Sequence, residues 1–97
     1  MAYGIVHHFK GGTKEQYDAT LKAVHPDDGK SLPAGQTHHA AGPTKDGWLV
    51  TAIWETKEHF EDFAKNVLHK VLGEPGTKGF AGPPEETTFE VHNEQKK

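Results

Sequence analysis

Residues 46–63 read DGWLVTAIWETKEHFEDF. The first half, WLVTAIW at 48–54, is built from β-branched and aromatic residues. It is apolar on both faces except at Thr51, the pattern of a strand covered on both sides. The second half changes period. Thr56 is a candidate N-cap, and Phe60, Phe63, Ala64, Val67, Leu68 and Val71 fall on one stripe of a helix over about 57–72. Gly73, helped by Pro75, stops that helix. A two-faced strand running straight into an amphipathic helix fixes a βα unit, and the rest of the chain is read outward from it.

Upstream, GPTKDG at 42–47 has the Gly, Pro and Asp of a hairpin turn. It pairs strand 48–54 with a strand at 36–41, setting Ala41 near Trp48 and His39 near Val50. YGIVHHF at 3–9 is a further strand, broken by Gly11 and Gly12. Thr13 and Gln16 have capping-box spacing at the start of a helix from Lys14 to Val24. Tyr17, Leu21 and Val24 share one face of it, and Pro26 ends it. Downstream, a Gly/Pro-rich loop over 73–86 leads to a last strand, TTFEVH, at 87–92. TKEQYDATL from Thr13 and TKEHFEDFA from Thr56 are similar, each following a strand and each setting an aromatic residue, Tyr17 or Phe60, at the same point. Two interleaved βαβ units of this kind make an α+β, ferredoxin-like βαββαβ fold with an antiparallel four-stranded sheet.

The 97 residues suit a single domain spanning 1–97, with 93–97 as a frayed tail. Only 33% of them are hydrophobic, and eleven Gly and six Pro imply long loops. The core is therefore small, or association supplies part of the stability. The net charge of −3, without a basic stripe, argues against nucleic acid. The absence of Cys excludes disulfides, thiol catalysis and Cys-based zinc sites. No signal-peptide pattern or membrane-length apolar run is present, so the expected protein is cytoplasmic, with no membrane partner.

The element order, the stretch from HHAAGP at 38–43 through DGWLVTAIWETKEHFEDF, and the tail GPPEETTFEVHN at 82–93 together resemble a known family. The chain resembles the dimeric α/β-barrel superfamily, and within it the small bacterial antibiotic-biosynthesis-monooxygenase-like proteins. That resemblance implies a homodimer. One sheet face would carry the helices, and the other would meet a second copy and close an eight-stranded barrel. It also implies cofactor-free oxygenation of an aromatic or polyketide-like substrate, begun by taking a proton from a phenol or enol. The haem-degrading relatives are not matched, because Phe63 and Gly73 stand where those proteins carry a Trp and a haem-ligating His.

Eight histidines raise the question of chemistry. Adjacent residues of a strand point to opposite faces, so His7 and His8 part, as do His38 and His39. Phasing the strands by the internal repeat and the hairpin puts Tyr3, Ile5, His7, Phe9, His39, Trp48, Val50, Ala52 and Trp54 on one face. Val6, His8, His38, Leu49, Thr51 and Ile53 share the other. The first face is the more aromatic and has few polar groups, as ligand pockets do. His7 is the candidate base and His39 the residue that orients the substrate or its oxyanion. Tyr17, Trp48, Trp54, Phe60 and Phe63 are the candidate substrate contacts. The plain alternative is that strand histidines hydrogen-bond their neighbours and the tryptophans are core. His8 and His38 read as structural or interface residues, His25 and His59 as surface or helix-end residues, and His69 as solvent-exposed. Adjacent histidines diverge, and there is no H-x-x-x-H on a helix or H-x-H in a strand, so no metal is expected, nor any cofactor. Three readings fit these residues: an enzyme on a small organic molecule, a ligand-binding or stress-related dimer without turnover, and a pure self-association module. Whether the aromatic face looks toward the helices or toward the barrel centre is left open at this stage.

Overall fold

Thr13 starts the first helix as its spacing predicts. Its hydroxyl accepts from the Gln16 backbone N–H at 3.2 Å, and the Gln16 side chain accepts from the Thr13 N–H at 3.1 Å, a complete capping box. Thr56 caps the second helix with its hydroxyl alone, which accepts from the His59 backbone N–H at 3.2 Å. Between and around these helices the computed structural model describes residues 2–25, 29–68, 80 and 84–95. In chain order it has β1 (Tyr3–Lys10), α1 (Lys14–Val24), β2 (Gln36–Thr44), β3 (Gly47–Trp54), α2 (Lys57–Phe63) and β4 (Glu85–Glu90). A π-helical turn, Ala64–Leu68, continues α2 directly. The end of the predicted second helix, with Val71, and the position of His69 lie outside the described residues.

The four strands form one antiparallel sheet in the order β2-β3-β1-β4, the α+β ferredoxin-like arrangement expected. Three details differ from the sequence reading. The β2–β3 hairpin is tighter than GPTKDG suggests, because Thr44 pairs with Gly47 and only Lys45 and Asp46 make the turn. Ala41 therefore faces Val50, and His39 faces Ala52. This is a shift of two residues, and side chains alternate with period two, so every residue keeps its face. Pro43 can remain in β2 because β2 is an edge strand. The last strand begins two residues early, at Glu85, so that Glu86 lies opposite His7. The second helix is not α-helical throughout: past Phe63 it widens into the π turn, which brings Phe63 and Leu68, five apart, to one cavity.

Both helices cover the same side of the sheet, so the aromatic face is the inner one. Ile5, Ala52, Trp54, Phe60 and Ala64 form one buried cluster, with Trp54 only 2% exposed. Phe9, Trp48 and Phe80 form a second, where the Phe9 and Phe80 rings stack with centroids 3.7 Å apart. Phe80 is tied down further by its backbone N–H, which donates to Thr20 Oγ1 of α1 at 3.0 Å. The outer face carries Val6, Leu49, Thr51 and Ile53, each only partly buried, and Phe89, 46% exposed. The Phe89 ring lies over Gly4, where any Cβ would collide with it. This is an aromatic side chain filling the space that a strand glycine leaves. Among the described residues no helix is long and apolar enough to cross a membrane.

Candidate functional site

Helices laid over the inner face leave a cavity between them and the sheet. It draws its walls from both clusters: Ile5, Phe9, Val50, Ala52 and Trp54 from the strands, and Phe60, Phe63, Leu68 and Phe80 from the covering side. Thr20, Leu21 and Val24 of α1 close it further. About 60 Å3 of it is reachable by the centre of a water molecule, where one water needs about 10–15 Å3. Four polar side chains reach this apolar space besides Thr20, namely His7, His25, Gln36 and His39.

His7 sits in the middle of β1, with β3 on one side and β4 on the other. Its side chain is 8% exposed. Its Nε2–H donates to Glu86 Oε2 at 2.8 Å, across the ladder from the residue directly opposite. Phe9 and Phe60 approach the ring at 6.3 and 6.2 Å between centroids. A hydrogen bond from Nε2–H to a carboxylate fixes the orientation of the ring.

On the far side of β3, His39 belongs to a chain of hydrogen bonds. The Tyr17 hydroxyl donates to His39 Nε2 at 2.7 Å, and His39 Nδ1–H donates to Gln36 Oε1 at 3.1 Å. Both ring nitrogens are thus engaged and the neutral tautomer is set. Burial pushes the His39 pKa below the ordinary histidine value, and burial, with Asp18 nearby, pushes Tyr17 above the ordinary phenol value. Tyr17 remains a donor and His39 an acceptor. Two strand spacings and two residues of offset put the His7 and His39 Cα atoms about 12 Å apart.

His25 is the C-cap of α1, its backbone N–H donating to Leu21 O at 2.9 Å. The sequence reading of a surface or helix-end residue is half right: it ends the helix but is only 7% exposed. The cause is its phase, four residues past Leu21 and eight past Tyr17, on the helix's inward face. Its ring meets His39 edge to face at 4.7 Å and Phe63 at 6.4 Å. Burial first, and then the His39 ring, push its pKa down to about 4, against a partly offsetting hydrogen bond to the Ser31 backbone.

The candidate residues therefore separate. His7, His39, Trp54, Phe60 and Phe63 line the cavity. Tyr17 stands behind His39 as its hydrogen-bond partner. Trp48 packs in the second cluster against Tyr17, 5.4 Å between centroids, with its Nε1–H buried and unpartnered among the described residues. The sequence reading missed His25, Thr20, Gln36, Phe80 and Glu86. The helical phase of His25 was the signal for it; Glu86 needed the register of β4, which sequence placed two residues late. His8 and His38 point to the outer face. There His8 meets Asp46 and Glu85 at 3.1 and 3.3 Å, and His38 meets Glu94 at 3.1 Å. Among the described residues no three of His, Cys, Asp and Glu gather as metal ligands.

No protein-family model matches the chain, and no curated protein matches it by sequence. Solved structures do. A protein of Chloroflexus aurantiacus J-10-fl, provisionally designated an antibiotic biosynthesis monooxygenase, superposes with a TM-score of 0.65 at 16% identity, over 99% of this chain and 98% of that one. SnoaB of Streptomyces nogalater, a cofactor-independent oxygenase solved as a variant, superposes with a TM-score of 0.50 at 13% identity, over 96% of this chain and 94% of that one. At these identities the likeness is one of fold, and it spans the whole length of both proteins. The chain has the ferredoxin-like fold of the antibiotic-biosynthesis-monooxygenase-like proteins, as the resemblance in its sequence implies.

Proposed function

We propose that this protein binds a small, largely apolar phenol or enol between its sheet and its helices and begins a cofactor-independent, oxygenase-type reaction on it by removing a proton. The observation that carries this reading is the His7–Glu86 pair, a buried imidazole held at 2.8 Å by a carboxylate in the wall of an aromatic cavity. An imidazole held in place by a carboxylate is a suitable general base once it has lost its proton. The proton moves from the substrate oxygen to the ring nitrogen. Glu86 stabilises the imidazolium that forms, and the substrate anion becomes the electron-rich species that reduces oxygen. The Tyr17–His39 pair forms the opposite polar wall and orients the substrate. The likeness in fold to a cofactor-independent oxygenase supports the reaction class. The outer face, with Val6, Leu49, Ile53 and the half-exposed Phe89, is the proposed seat of a second copy of the chain.

The test is oxygen uptake with a panel of small quinols and phenols, alongside binding of the same compounds. Turnover should be lost in His7→Gln while binding persists. Binding without oxygen uptake by any compound would favour a ligand-binding protein without turnover. Absence of both would leave the self-association module.

A further inference from the structure

His7 and His39 are both committed to protein partners, to Glu86 at 2.8 Å and to Tyr17 and Gln36 at 2.7 and 3.1 Å. His25 differs. It is 7% exposed, lines the same cavity, and contacts His39 and Phe63 through ring faces and edges rather than hydrogen bonds. The backbone of Ser31 is its one hydrogen-bond partner among the described residues. The Ser31 contact raises the pKa of the ring, so its N–H donates there, and the acceptor nitrogen of the neutral imidazole has no partner among the described residues. Burial keeps the ring neutral near pH 7. An unused acceptor in an apolar cavity loses hydrogen bonding to water unless a ligand supplies a donor.

The charges around the cavity point the same way. All eleven basic residues of the chain are lysines, and none of those among the described residues lines the cavity. The ionisable group beside its wall is a carboxylate, Glu86. An anionic ligand would be stripped of water with no lysine among the described residues to receive it. We propose that His25 is a ligand-binding residue that accepts a hydrogen bond from a hydroxyl group, and that the cavity thereby selects neutral hydroxyl-bearing aromatic compounds over anionic ones. This rests on the proposed ligand cavity but not on turnover. It gives a residue of α1 a part in holding a ligand hydroxyl, in addition to the strand histidines.

Three single-ring probes of similar shape separate the possibilities in calorimetry at pH 7: 4-methylphenol, p-xylene and 4-methylbenzoate. The native protein should bind 4-methylphenol roughly tenfold more tightly than p-xylene, the size of one buried hydrogen bond, and 4-methylbenzoate not measurably. His25→Phe should abolish the preference for the phenol while p-xylene still binds, which also shows that the variant is folded. His25→Gln keeps an acceptor and should restore part of the preference. Equal binding of phenol and xylene by the native protein, a preference that survives His25→Phe, or tight binding of the benzoate would each overturn the proposal while leaving the ligand cavity standing. If none of the three probes binds, the cavity reading falls and this inference with it. Failure of oxygen uptake alone leaves it intact.

Discussion

The two faces of the sheet are made by the same four strands, yet they differ in almost every physical respect. The inner face presents Ile5, His7, Phe9, Ala52 and Trp54, all buried under α1, α2 and Phe80. The outer face presents Val6, Leu49, Thr51 and Ile53, only partly buried, with Phe89 half-exposed. Its histidines differ accordingly. Burial disfavours charging of His25 and His39, while His7 is held by the Glu86 carboxylate at 2.8 Å. His8 meets the carboxylates of Asp46 and Glu85, and His38 that of Glu94, at 3.1 to 3.3 Å, contacts worth little where water and salt screen them. Adjacent residues of one strand, His7 and His8, thus belong to different chemical environments separated by the thickness of a backbone.

The largest effect expected from this contrast is on stability. Trp54→Ala removes the most buried side chain of the inner face and should cost roughly 3–5 kcal/mol, read from urea unfolding. A loss below about 1 kcal/mol would mean that the helices do not cover that face.

Acid should act on the inner face next. The His25 pKa falls from 6.5 to about 4 on folding, so between those values the unfolded chain binds more protons than the folded one. The neutral ring's contribution is complete above about pH 6.5. It is lost progressively as pH falls toward 4, by at most about 3 kcal/mol. His39, whose pKa is also lowered, adds in the same direction. Unfolding free energies measured from pH 7 to 4 should show that slope, and His25→Phe should flatten it. An unchanged slope in the variant would assign the acid sensitivity elsewhere.

The adjacent histidines of β1 give the next test. His7→Ala should lower turnover, where a substrate is found, on the order of a hundredfold, as for loss of a general base, and leave the oligomeric state unchanged. His8→Ala should leave turnover alone and act on packing of the outer face. Equal effects at both positions would erase the distinction between the faces.

The outer face gives the smallest effect on the single chain. Phe89→Ala should cost about 1 kcal/mol or less in a monomer, since the ring is 46% exposed. If a second copy covers this face, light scattering at micromolar concentration should give a dimer mass, and Ile53→Asp should return it to the monomer. An outer apolar face of this kind is unusual on a soluble monomer, so a monomer mass for the native chain would remove the proposed partner.

Sequence alone determined the elements and their faces. Thr13, Gln16 and Thr56 mark helix starts through local hydrogen bonds, and those signals need no distant partner. The alternation in YGIVHHF and WLVTAIW fixed which residues share a face, and this survived a two-residue error in the hairpin because the period of a strand is two. The grouping of His7 and His39 with Trp54 was legible for that reason. What only the tertiary structure decided depends on register and on layers. Which face the helices cover cannot be read from a strand apolar on both sides. The partnership of Glu86 with His7 exists only because β4 pairs with β1 in one particular register. Phe80, from a Gly/Pro-rich loop with no periodicity to read, stacks on Phe9 across the fold. His25 reads as a polar helix end until the sheet beneath it turns that end into the wall of a cavity, where removal from water rather than residue type sets its chemistry.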